Sequence, residues 1–241
     1  MNMILQHPVK LIKTEYISPA KNMYIASWEA EGIDSWDYIP GQFYVFEFTI
    51  NGVYYRRPYS GSALPGSKIL QTTIREVGKD NAVVSKLLPL YGLQYQDAGQ
   101  FSAVITGPSG TFYLREYDSA ENLIFIVSGS AWGVITSMYV ELAALLKKGS
   151  NVLIDLSVNN IFDVPSNWYQ VIQALEPLGA VMRLSFYEQE DLAAYKLTEQ
   201  ETEKADVYLC GSPFMIQAVE EKCLQLGNTK NVYKEHYFKK V

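Results

Sequence analysis

Leu123–Val140 reads LIFIVSGSAWGVITSMYV. It carries no charge and is about long enough to cross a bilayer. How it is read decides the fold. Ser128-Gly129-Ser130 places turn residues in its middle. The segment before them, LIFIV, is strand-like, and the segment after them has a helical pattern. The stretch therefore predicts strand, turn and helix, not a transmembrane segment.

The same rhythm continues downstream. Strands are predicted at Asn151–Val158, Val181–Phe186 and Asp206–Cys210, and helices at Gly133–Lys147, Asn167–Leu178 and Pro213–Leu226. Strands alternating with helices imply a doubly wound, mostly parallel sheet. Upstream the pattern is different. Phe43–Ile50 alternates, with Tyr44, Phe46, Phe48 and Ile50 on one face. Asn51-Gly52 is a hairpin turn that leads into Val53-Tyr54-Tyr55. Ile69–Val77 and Phe101–Thr106 read as further strands, with a short helix over Asn81–Leu90 that has Pro89 near its end. Short strands separated by Gly/Pro turns suggest a small antiparallel β-barrel. The polar turn Tyr117-Asp118-Ser119-Ala120 marks the join. Two domains are expected: a barrel over residues 1–117 and an α/β domain over residues 118–241.

Composition narrows the chemistry. The 241 residues suffice for two cores, and 48% hydrophobic with 19% charged is ordinary for a globular chain. The net charge of −6 and the absence of a basic stripe argue against nucleic-acid binding. Lys147-Lys148 and Lys239-Lys240 read as solvated pairs. Cys210 and Cys223 lie too far apart for a C-x-x-C site, and two histidines make a histidine-rich metal centre an unsuitable reading. The first residues show no signal-peptide pattern, so a cytoplasmic location is the expectation.

Chemistry concentrates in a few stretches. In Tyr55-Arg56-Arg57-Pro58-Tyr59-Ser60 an extended backbone puts Arg57 and Tyr59 on one face. A guanidinium fork suits phosphate, a tyrosine ring suits a planar heterocycle, and a serine hydroxyl suits a ring nitrogen. Pro58 marks an edge or a strand end. In Val207–Met215, Gly211 permits close approach at the carboxyl end of a strand, and Pro213 suits a first helical turn. Cys223 shares a helical face with Ile216, Val219 and Leu226 and reads as core.

These stretches resemble the ferredoxin–NADP reductase superfamily. The motifs are Pro40-Gly41-Gln42-Phe43, Arg57-Pro58-Tyr59-Ser60, Gly107-Pro108-Ser109-Gly110-Thr111-Phe112, Cys210-Gly211-Ser212-Pro213-Phe214-Met215 and the C-terminal Val232–Phe238, in the family's order across nearly the whole chain. The resemblance implies a flavin barrel followed by a nicotinamide domain. It assigns Arg57 to flavin phosphate, Tyr59 to the isoalloxazine and Ser60 to its N5 edge, with Pro58 also among the cofactor-binding residues. It places Gly78 and Ser85 near the flavin pyrophosphate, with Ala82 where a glycine is usual. Gly99-Gln100 stands where many members have Gly-Asp. Gly129 and Ser130 would meet the nucleotide pyrophosphate, although Ala131 and Val134 replace a glycine and a proline, and Trp132 adds bulk. Cys210, Gly211, Ser212 and Met215 would line the nicotinamide. Glu235 would supply a polar group there, and Tyr237 or Phe238 would cover the flavin.

The implied function is a flavin-dependent NAD(P)H oxidoreductase with FAD in preference to FMN. Electrons would pass to a separate carrier, a ferredoxin-like or flavodoxin-like protein, or to a small acceptor. Ser157-Val158-Asn159-Asn160 has no basic residue for a 2′-phosphate, which favours NADH over NADPH. Asp163 reads as an ordinary loop acid. No C-x4-C-x2-C cluster signature is present. Two alternatives stand beside this reading: a reductase of free flavin or ferric chelates, and a non-catalytic electron-transfer subunit whose nucleotide turn has lost its ligand.

Overall fold

The hairpin at Asn51-Gly52 organises the first half. Both residues take positive φ, 51° and 77°, as a two-residue primed turn requires. It joins β3 (Phe43–Ile50) to β4 (Val53–Ser60). Tyr44, Phe46, Phe48 and Ile50 are all buried, as the alternation predicts. The computed structural model describes residues 6–76, 83–94, 101–114, 122–186, 197–202, 204–227 and 231–236. The chain divides into two units, Met1–Tyr113 with Gly133–Ser137, and Leu114–Trp132 with Met138–Val241.

The first unit holds β1 (Gln6–Tyr16), β2 (Met23–Glu29), β3, β4, β5 (Leu70–Arg75), α1 (Val83–Gln94) and β6 (Ser102–Ser109). The six strands form one antiparallel sheet in the order β4-β3-β6-β1-β2-β5. A bridge between Gly61 and Thr72 links the chain just past β4 to β5, so the sheet curls until its two edges meet. Trp28, Tyr24, Phe46, Phe48 and Leu11 fill the interior, and the Trp28 indole donates to Thr72 Oγ1 at 3.1 Å.

Several features depart from the sequence pattern, among them β2, whose burial does not alternate. The period-two reading does not reveal β1, because its register with β2 shifts between Leu11 and Lys13. Leu11 and Thr14 are buried while Ile12 is exposed, so alternation breaks mid-strand. Helix α1 also does not end at Leu90, just past Pro89, but runs on to Gln94. A proline inside a helix frees the carbonyl four residues earlier. That carbonyl belongs to Ser85, and the buried Tyr24 hydroxyl donates to it at 2.8 Å. A tertiary hydrogen bond thus replaces the lost helical one.

The second unit follows the predicted alternation and adds a short helix and a final strand that the sequence reading did not place. Its elements are β7 (Asn122–Ser128), α2 (Trp132–Lys147, apart from Gly133–Ser137), β8 (Asn151–Val158), α3 (Trp168–Leu175), β9 (Val181–Phe186), α4 (Glu199–Thr202), β10 (Ala205–Gly211), α5 (Pro213–Gln225) and β11 (Val232–His236). All pairings are parallel, in the order β11-β10-β7-β8-β9. The chain moves outward from β7 to β9, then restarts at β10 on the other side. The order therefore reverses between β7 and β10, the crevice where open α/β sheets take ligands. Ile124, Ile126, Val207 and Leu209 pack against Met215, Ile216, Val219 and Cys223 of α5. Cys223 is core, as its helical spacing predicts, and burial pushes its thiol up to about 11. Gly129–Lys147 is long and apolar enough to cross a membrane by composition, but Val134, Ile135, Met138 and Leu142 on it are wholly buried in the fold.

Candidate functional site

In the first unit the candidate residues stand on an edge strand. β4 ends the sheet order, so only one of its sides is paired, and Pro58 is tolerated there. Tyr54, Arg56 and Pro58 are exposed, whereas Tyr55, Arg57 and Tyr59 are half-buried. One face of the strand therefore carries two rings with a guanidinium between them. Arg57 donates from Nη1 to the Arg56 carbonyl at 2.8 Å and lies 5.9 Å from the Tyr55 ring centroid. Tyr59 meets Phe46 edge-on at 5.4 Å. Burial drives the Tyr59 hydroxyl well above its ordinary pKa, with Arg57 opposing, so it is protonated and able to donate. Ser60 ends the strand and is buried.

Neighbouring elements set where this strand ends. Gly61 has no room for a side chain, since a Cβ there would lie 2.5 Å from the Tyr38 ring. Tyr38 is itself wedged edge-on against Tyr44 at 6.0 Å, and its hydroxyl donates to the Ala63 carbonyl. It props the turn after Ser60, a role no local sequence pattern signals. On the far side, Tyr59, Val83 and Leu87 border the same core as Tyr24. The hydroxyl of Tyr24 ties that core to Ser85 in the first turn of α1, where Ser85 is buried. Tyr24 is held protonated first by burial and then by Tyr59 nearby. Tyr59 and the start of α1 are thus brought to one core. Gly78, Ala82, Gly99 and Gln100 lie outside the described residues.

In the second unit β7 passes into α2 through one 3-10 turn, Gly129–Ala131. Gly129 takes φ 56°, a conformation that favours glycine. Ala131 and Trp132 are completely buried. The indole of Trp132 donates to Asn167 Oδ1 at 2.8 Å and packs 5.0 Å from Trp168. The bulk that the sequence puts beside the turn is directed into the fold, while Ser130 keeps partial exposure.

The turn after β10 lies alongside. Ser212 N–H donates to Ser128 Oγ at 3.1 Å, and the Ser212 hydroxyl caps α5 by accepting from Met215 N–H at 3.2 Å. Cys210 and Met215 are buried, and Gly211 takes φ 146°. The C-terminal segment is a strand: β11 pairs with β10 in a register that sets Glu235 beside Cys210. This brings together two residues 25 positions apart in the chain, numbers 210 and 235. Tyr237 and Phe238 lie outside the described residues.

The loop after β8 holds residues that pattern reading missed. Asn160 Oδ1 accepts from Phe162 N–H at 2.9 Å, and its Nδ2 donates to Asp163 Oδ2 at 3.3 Å. Asp163 is buried, so it is a structural brace and not an ordinary loop acid. The brace leaves Ile161 and Phe162 exposed, Phe162 by 63%, at the carboxyl end of the sheet. Phe214 is likewise exposed just past β10. Exposed rings flanking a ligand crevice are the available signal, and it requires knowing which loops share that end.

No family model matches the chain, and no curated protein matches it. Solved structures do. The flavohem-like FAD/NAD-binding domain of nitric oxide dioxygenase from Vibrio cholerae O1 biovar El Tor superposes with TM-score 0.76 at 21% identity, over 96% of this chain and 98% of that one. Ferredoxin-NADP+ reductase from Plasmodium falciparum with 2'P-AMP gives TM-score 0.74 at 19% identity, over 98% and 99%. Amycolatopsis cytochrome P450 reductase GcoB gives TM-score 0.75 at 18% identity, over 97% of this chain and 70% of that one. The antiparallel curled sheet followed by the parallel five-stranded sheet is thus the fold of ferredoxin–NADP+ reductase-like FAD/NAD-binding domains.

Proposed function

We propose that the protein is an FAD-dependent oxidoreductase that takes hydride from a nicotinamide nucleotide, NADH in preference to NADPH, and passes electrons to a separate carrier such as a ferredoxin or flavodoxin. The observation that carries this reading is the edge face of β4, where Arg57 stands between Tyr55 and Tyr59 and the strand closes on buried Ser60. This donor set fits a phosphorylated planar ring system. Arg57 would hold the phosphate, Tyr59 would lie against the ring, and Ser60 would face its polar edge. Bound FAD would supply acceptance of a hydride and release of single electrons.

The second unit supports the nucleotide half. Gly129 and Ser130 follow β7 and Gly211 and Ser212 lie at the end of β10, on the two sides of the switch point, where the nucleotide would lie. Cys210 and Glu235 stand on adjacent strands there and would flank the nicotinamide. Asn159 and Asn160 after β8 offer no positive charge to a 2′-phosphate, which supports NADH. The similar structures described as an FAD/NAD-binding domain and as reductases support the same class.

The test is a visible spectrum of protein purified without added flavin, recorded anaerobically before and after NADH and then NADPH. A flavin spectrum bleached by NADH at lower concentration than NADPH is the expected result. Bound flavin bleached by neither would replace the reading with a partner-fed electron-transfer subunit. Protein without flavin that nevertheless oxidises NADH when free flavin is added would replace it with a free-flavin reductase.

A further inference from the structure

We propose that Ser128 is a positioning residue: its hydroxyl clasps the turn after β10 to the end of β7 and holds Cys210-Gly211-Ser212 in the shape that receives the nicotinamide. This rests on the nucleotide-reductase reading and deepens it by adding a residue to that site.

The geometry argues for the clasp from both sides. β7 ends at Ser128 and β10 at Gly211, one residue beyond the register pair Val127–Cys210. Ser128 backbone is extended, φ −128° and ψ 137°, so any residue fits there and the side chain is what matters. That side chain accepts from Ser212 N–H at 3.1 Å. The oriented Ser212 in turn caps α5 through Met215 N–H. One hydroxyl on β7 therefore fixes the 211–212 peptide and, through it, the first turn of α5.

Gly211 carries the reciprocal mark. A Cβ at Gly211 would overlap Ser128 Oγ and would lie 3.1 Å from both Ser128 Cβ and Met215 Cε. Beyond the strain that φ 146° already imposes, a Cβ at 211 would displace Ser128 Oγ from the Ser212 N–H. Among the described residues no acceptor takes the proton of the Ser128 hydroxyl, which keeps one donor after accepting from Ser212. That donor sits at the switch-point crevice, suited to a carbonyl or phosphoryl oxygen of the nucleotide.

The test uses the flavin-loaded full chain and three substitutions. In Ser128→Ala, amide exchange at Ser212 should quicken roughly three- to tenfold, the loss of one neutral hydrogen bond. The limiting rate of flavin reduction by NADH should fall by a similar factor, with flavin content unchanged. Ser128→Thr, which keeps the hydroxyl, should restore both. The loss of thermal stability in Gly211→Ala should shrink when Ser128→Gly is added, because the overlap is relieved. Unchanged Ser212 exchange in Ser128→Ala, or strictly additive effects of Gly211→Ala and Ser128→Gly, would overturn the clasp. If the unmodified protein is bleached by neither nucleotide, the reductase reading fails, while exchange and additivity still decide the clasp.

Discussion

Arg57→Ala separates the two things a surface arginine can do. In the fold, Arg57 donates to a neighbouring backbone carbonyl on an exposed edge and approaches the Tyr55 ring at 5.9 Å. A cation over an exposed ring is worth about 0.5–1 kcal/mol, and surface substitutions usually stay within about 0.5 kcal/mol. A cost of about 1 kcal/mol would lower Tm by roughly 2–4 °C in a chain of this size. Against flavin the accounting differs. One charge-assisted hydrogen bond to phosphate contributes about 1.5–3 kcal/mol, so its loss should weaken FAD binding roughly ten- to 150-fold. The assay is fluorescence titration of flavin-free protein with FAD, beside a circular-dichroism melt of the same samples. Arg57→Lys should recover part of the affinity, since a single ammonium lacks the planar fork. An FAD dissociation constant that stays within twofold of the unmodified protein, with Tm intact, would refute the phosphate role. A collapse of Tm with FAD affinity tracking it would make Arg57 a fold residue instead.

Further outcomes are expected elsewhere. Cys210→Ala should slow flavin reduction by NADH while flavin content holds; an unchanged rate in stopped-flow would leave Cys210 as packing alone. Phe162→Ala should raise the NADH concentration needed for half-maximal reduction by roughly fivefold or more, the low end of base–aromatic stacking, without altering FAD binding; an unmoved value would dismiss the exposed ring. Asp155 is buried on β8, with Oδ2 accepting from Ser185 and Oδ1 unpartnered among the described residues. Burial raises its pKa, with the Ser185 bond and Arg183 opposing. A raised folded-state pKa means the contribution of Asp155 to stability is complete below the ordinary carboxylate range and declines as pH rises through the folded-state value. Asp155→Asn should therefore gain in Tm relative to the unmodified protein as pH increases from acid to neutral, and a difference that stays constant with pH would contradict this.

The sequence by itself determined most of the second unit, because β7, β8 and β10 are rich in apolar residues and α5 carries its own start signal in Ser212-Pro213. Asn151–Val158 was legible to the residue, since β8 is buried on both faces beyond its first position, and so was Val181–Phe186, although β9 is an edge strand with no fully buried residue. The β3–β4 hairpin was equally local, written in alternation and in Asn51-Gly52. The face shared by Arg57 and Tyr59 followed from the pleat alone. What lay beyond reach was whatever depends on contact between distant segments. The bulge in β1 erases its alternation, and only pairing with β2 makes it a strand. Pro89 reads as lying near a helix end until the Tyr24 hydroxyl supplies the bond that Ser85 loses. Glu235 reads as a tail residue until β11 docks beside Cys210. Ser128 and Gly211 look independent until their turns are seen to share one volume. Periodicity records which way a side chain points within its own segment. Only tertiary structure decides which hydroxyl, carbonyl or missing Cβ from another segment completes it.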